Sequence, residues 1–98
     1  MKFHINLAES AIDDLRWFKK NERVLILDMI EKQLLYEPMK ITRNRKDLRE
    51  CVLSRWELRI DNYRVFYNID KEQGVVDITA VGYKKHNKLF IRGKEVEI

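Results

Sequence analysis

One cysteine, one proline and three glycines in 98 residues remove most of the special devices a small chain can use to hold itself together. Cys51 has no second cysteine to pair with, so an internal disulfide is excluded and a reducing compartment suits the chain. His4 and His86 lie at opposite ends of the sequence. With one cysteine beside them they do not make a metal cage, and no cofactor motif is present. No stretch approaches the roughly 20 apolar residues of a membrane span. The opening Met1-Lys2-Phe3-His4 has no apolar leader, so a cytoplasmic location is expected. Glycine-rich phosphate loops and Ser-His-Asp arrangements are missing as well.

What remains is an ordinary composition, 45% hydrophobic and 37% charged, of a length that fits one domain over residues 1–98. The net charge of +4 is unevenly spread. Residues 1–40 balance seven basic against seven acidic side chains, whereas residues 41–98 carry thirteen against nine. From Tyr83 to Lys94 there are five lysines and arginines and no acid. A one-sided basic excess attracts polyanions, although a solvated basic surface has the same composition.

Alternation in Lys2-Phe3-His4-Ile5-Asn6 predicts a short first strand. Asn6 and Glu9 have the spacing of a capping box ahead of a helix striped by Ala8, Ala11, Ile12, Leu15 and Phe18. A second helix is expected from a cap at Asn21 to about Glu37, with Leu27, Ile30 and Leu34 as its stripe and Pro38 as its stop. Met39 to Lys46 reads as a basic loop. Strands are expected at Leu48–Leu53, Arg55–Ile60, Tyr63–Ile69 and Val75–Val81, with a last short one at Lys88–Ile91. Asp61-Asn62 suits a tight hairpin turn, and Gly74 suits a left-handed position. The order β-α-α-β-β-β describes an α+β fold: a helical hairpin on one face of a largely antiparallel sheet.

The hairpin can be read face by face. A two-residue turn places Trp56, Leu58, Ile60, Tyr63, Val65 and Tyr67 on one face, which is the expected core. Arg55, Glu57, Arg59, Arg64, Phe66 and Asn68 take the other, expected to be exposed. Arg59 and Arg64 then stand opposite each other, a repulsive pairing that a bound anion would relieve. Neutralisation by Glu57, Asp61 and Asp77 would serve equally well. Trp17, Trp56 and Cys51 read as packing residues, whereas His86, set among lysines, does not suit a core.

Leu48-Arg49, the run Trp56 to Tyr67 with its Tyr63-Arg64-Val65 centre, the strand Val75 to Gly82 and the tail Tyr83 to Phe90 together resemble the RelE/ParE superfamily. Its members are toxins of type II toxin–antitoxin pairs. The resemblance implies a cognate antitoxin as partner. It also implies one of two activities: mRNA cleavage with the ribosome, or poisoning of DNA gyrase. For the first, it maps Arg55 and Glu57 onto strand positions that hold lysines in RelE-like members, and Arg59 and Arg64 onto arginines. Lys84 falls where they carry a catalytic arginine, and Phe90 where they carry a tyrosine. Loss of that hydroxyl leaves open an inactive paralogue that only binds its antitoxin. Some members instead use a strand glutamate, or a histidine four residues before a terminal phenylalanine, the spacing of His86 and Phe90. The implied chemistry is a metal-free transesterification. Arg64, Glu57, His86 and Lys84 would be its catalytic set, with Glu57 and His86 as base and acid in either order. Arg55, Arg59, Lys85, Lys88 and Phe90 would contact RNA.

Overall fold

The computed structural model describes residues 2–48 and 53–97. Strand β1 (His4–Leu7) leads into helices α1 (Glu9–Trp17) and α2 (Lys20–Leu34). Strands β2 (Arg45–Asp47), β3 (Trp56–Ile60), β4 (Tyr63–Asp70), β5 (Val75–Lys85), β6 (Lys88–Ile91) and β7 (Lys94–Val96) follow. The sheet order is β2-β3-β4-β5-β6-β7, antiparallel throughout, with β1 added parallel to β5. The α+β architecture is the one the sequence predicts.

The β3–β4 register also agrees, with Ile60 opposite Tyr63, Arg59 opposite Arg64 and Trp56 opposite Tyr67. Leu58, Ile60, Val65 and Tyr67 join Ala11, Leu15, Phe18, Ile26, Ile30 and Leu34 in the main core. Burial of each large aliphatic or aromatic side chain contributes roughly 1.5–3 kcal/mol, and this layer is what holds the helices to the sheet.

Several boundaries differ from expectation for identifiable reasons. α1 starts at Glu9 with no side-chain cap; Asn6 is not its cap because its amide donates instead to Asp77 Oδ1 across the β1–β5 pair (2.9 Å). α2 starts before Asn21, and the Glu22 carboxylate accepts the Lys19 N–H (3.1 Å). It stops at Leu34, short of Glu37. The buried Arg45 guanidinium collects the carbonyls of Gln33 and Glu37, and the Tyr67 hydroxyl donates to the Pro38 carbonyl (2.8 Å). Arg45 thus turns the expected basic loop into the start of β2. The expected strand Leu48–Leu53 and Cys51 fall largely outside the described residues. β5 continues past Val81 to Lys85, and β7 has no counterpart in the expected order. Its signal was Arg92-Gly93, a turn with both residues at positive φ (51° and 77°).

One edge of β5 is shared between two strands. β1 pairs with Val75–Ile78 and β6 with Tyr83–Lys85, which leaves a seam between them. α1 fills it. Ser10 Oγ donates to the Thr79 carbonyl (2.7 Å), and one turn later Asp14 Oδ2 accepts the Val81 N–H (2.9 Å). Arg92 closes on Asp14 Oδ1 at 3.1 Å. Burial raises the Asp14 carboxyl above its ordinary value, opposed by the Val81 N–H and then by Arg92. Gly82, inside the seam, has no room for a side chain: a Cβ there would lie 2.4 Å from the Phe90 carbonyl oxygen.

Asp14→Ala should orphan a buried N–H and cost about 2 kcal/mol in urea unfolding. Asp14→Asn keeps an acceptor for Val81 and should cost about half as much. Equal losses would assign the effect to the Arg92 pair instead.

Candidate nucleic-acid interface

Strand alternation puts Glu57, Arg59 and Arg64 on the face away from the helices, as expected, but this face is not open. Phe66 is fully buried there in a second small core with Ala80 and Leu89, flanked by Leu48, Leu53, Ile91 and Val96. The side chain of Glu57 is 3% exposed and that of Arg64 13%, so the expectation of a wet face fails at these positions. Hydrophobic segments on both sides of β3–β4 fold over it, which no face-by-face reading of one hairpin could reveal.

The repulsive pairing of Arg59 and Arg64 is resolved within the protein. Both Nε atoms converge on Glu57 Oε1, at 3.0 Å from Arg59 and 3.6 Å from Arg64. Arg64 Nη1 donates to the Asp61 and Tyr63 carbonyls (2.8 and 2.9 Å), which ties down the hairpin turn. Its buried Nε has no hydrogen bond among the described residues. Burial lowers the Arg64 guanidinium pKa, Glu57 raises it and Arg59 lowers it again. Arg59, 41% exposed, engages Glu57 through Nε, and its terminal nitrogens have no partner among the described residues. Glu57 is therefore a clamp for two cations and is poorly placed to serve as a free base.

The other predicted residues divide into groups. Arg55 is exposed but held by the Asp47 carboxylate through two bonds (2.9 and 3.2 Å), which raise its pKa. Lys84 shares the Arg64 face, because Arg64 pairs with Gly82 and side chains alternate along β5. His86 and Asn87 form the β5–β6 turn, both exposed and both at positive φ (54° and 63°). Lys85 and Lys88 flank that turn, and Lys88 reaches Glu95 at 3.7 Å. Phe90 lies on the opposite face from Arg64, stacked on Tyr83 at 5.4 Å. Glu57 is level with Ala80 through Phe66, well short of His86 along β5. At ~3.3 Å per residue the two stand roughly 20 Å apart, so they cannot flank a single phosphate.

Sequence reasoning missed Trp17. It is not a packing residue in the ordinary sense: it is 48% exposed and stacks on Tyr83 at 5.4 Å and 12°. Its position off the Ala11-Leu15-Phe18 stripe was the available signal. Trp17, Phe18, Tyr63 and Tyr83 wall a cavity of about 630 Å³ at the junction of α1, α2 and the β3–β4 turn. In it the Tyr63 hydroxyl donates to Glu22 Oε2 at 2.7 Å. This bond pushes the Tyr63 phenol up to about 12 and draws the Glu22 carboxyl down.

A fold of this kind has known counterparts. The profile of the ParE toxin of the parDE type II toxin–antitoxin system matches residues 5–87. The chain belongs to this family of ParE toxins. Its fold is similar to a chain of the RelBE2 toxin–antitoxin complex of Mycobacterium tuberculosis (TM-score 0.72, 24% identity, 86% of this chain and 100% of that one). It is similar also to a mutant of Escherichia coli toxin RelE, with two arginines replaced by alanine, in the free state (0.67, 22%, 85% and 84%). The archaeal RelE–RelB complex of Pyrococcus horikoshii OT3 is a third (0.62, 17%, 88% and 99%). Among curated proteins no sequence relative is found. No helix among the described residues is long and apolar enough to cross a membrane.

Two measurements test the site. Glu57→Gln leaves two cations facing each other in a largely buried cluster and should cost about 3 kcal/mol in denaturant unfolding. For Tyr63, the raised pKa means its bond to Glu22 stabilises the fold fully below the ordinary phenol value near 10 and is lost as pH rises through about 12. Tyrosinate absorbance should show a transition near pH 12 that Tyr63→Phe removes.

Proposed function

We propose that this toxin acts in the cytoplasm on mRNA at the ribosome, as an endoribonuclease that halts translation, and is silenced by a cognate antitoxin. Toxin–antitoxin complexes among its structural neighbours support the partner. The observation that carries the RNA reading is His86. It is an exposed titratable group in a strand turn, at a φ of 54° that is uncommon for a non-glycine residue, with Lys84, Lys85 and Lys88 around it.

In this reading the RNA 2′-hydroxyl loses its proton to a solvent water and attacks the adjacent phosphorus, forming a 2′,3′-cyclic phosphate as the bond to the 5′-oxygen breaks and that oxygen departs with a proton. His86 is the acid that supplies that proton, a role contributing about 10²–10⁴-fold. Lys84 and the terminal nitrogens of Arg59 meet the charge that develops on the phosphate. Arg64 and Glu57 position Arg59. Lys85, Lys88 and Arg55 hold flanking phosphates, and Phe90 braces Tyr83 beneath the turn. Gyrase inhibition by surface contact is the second reading, favoured by the separation of Glu57 from His86 and by the ParE family match.

Induced expression with pulse labelling separates the two. Loss of protein synthesis ahead of DNA synthesis, with cleavage of mRNA on programmed ribosomes, is expected. Early DNA damage and inhibited supercoiling would favour gyrase. His86→Asn should keep stability within about 0.5 kcal/mol, since asparagine accepts positive φ, while cleavage falls about 10²-fold or more.

A further inference from the structure

We infer that the aromatic cavity beside Trp17 is a second RNA subsite, which takes the base of a nucleotide neighbouring the one held at Arg59 and Lys84. The inference rests on the RNA reading above and adds a binding site on the other side of the sheet.

Three observations carry it. First, Trp17 stacks on Tyr83 and lies beside Gly93, yet nearly half of it faces solvent, and with Phe18 and Tyr63 it walls a cavity large enough for a nucleotide, so a base can lie against an aromatic wall. Second, the polar lining is mixed. Lys84 and Lys85 supply two cations, Glu22 and Asp61 two anions, and Asn62 a side-chain amide with no partner among the described residues. Glu22 is occupied by Tyr63 and the Lys19 N–H, which leaves the side chains of Asp61 and Asn62 as the available polar groups at the rim. An acidic peptide would meet both carboxylates, and a purely apolar one would strand the lysines. A nucleotide uses all of it: ring on ring, an exocyclic amino group on Asp61, phosphate on the lysines.

Third, the cavity is continuous with the first site. Lys84 faces the Arg64 side of the sheet and Lys85 the Tyr83 side, and both line the cavity. A single strand leaving Arg59 can step over the end of β5 from one lysine to the next.

The test is fluorescence anisotropy of labelled single-stranded RNA hexamers, oligo-C and oligo-U, with the full-length protein. Oligo-C should bind more tightly than oligo-U, since only cytosine offers an amino group to Asp61. Trp17→Leu should weaken oligo-C about tenfold or more. Because Trp17 also touches Tyr83, Asp61→Gly is the second variant. Glycine accepts the positive φ of 51° there, and loss of the carboxylate should remove the preference for oligo-C over oligo-U. Hexamer binding that neither variant changes would overturn the subsite while leaving ribosomal cleavage, measured separately, to stand. Absence of hexamer binding would overturn it too. So would Trp17-dependent capture of an acidic, leucine-containing peptide in place of RNA, which would give the cavity to a protein partner.

Discussion

The seam on β5 is the constraint around which the rest of the molecule is arranged. One strand edge must serve β1 at one end and β6 at the other, and the backbone groups between them would be orphaned without α1. Ser10 and Asp14, one helical turn apart, supply a donor and an acceptor where a strand would have done so. This fixes the rotation of α1 and therefore which residues it turns toward the sheet. Ala11, Leu15 and Phe18 go inward, and Trp17 is left over Tyr83. Arg92 closes on the same carboxylate, so the β6–β7 hairpin is located by the helix as much as by its strand partner.

A comparable sharing of one group holds on the other face. A single carboxylate oxygen receives two guanidinium groups, and the cost of burying Glu57 is offset because both neighbours are cationic. The outcome is asymmetric. Arg64 is committed to the hairpin carbonyls, while Arg59 retains outward nitrogens. Two arginines that look equivalent in sequence therefore have different physical roles.

This asymmetry marks the limit of what was legible beforehand. Period-two alternation over Trp56–Tyr67 was enough to obtain the register, the core face and the layer order, because those depend on local pattern alone. Burial of Phe66 and Glu57 depends on Leu48, Leu53, Leu89 and Val96 arriving from distant segments, and nothing within the hairpin encodes their arrival. The same holds for the end of α2, which is set by Arg45 reaching back to the Gln33 carbonyl inside the helix and the Glu37 carbonyl beyond it rather than by Pro38 alone. Of the site, the basic character and the exposed His86 were readable from charge and position. The distance between Glu57 and His86 was not, since it requires the β4–β5 register.

The parallel pairing of β1 with β5 has a temporal meaning as well as a spatial one. His4 must meet Val75 and Leu7 must meet Ile78, so the first strand has no partner until most of the chain exists. Joining segments so far apart in sequence carries a loop-closure cost that local hairpins avoid, and such contacts form late. The Glu57–Arg59–Arg64 cluster lies within one hairpin and can assemble early, whereas the Asp14 seam and the stacking of Trp17 on Tyr83 wait for β5. A nascent copy of this toxin is thus without its central strand for most of its synthesis, and becomes competent only as the last strands are added.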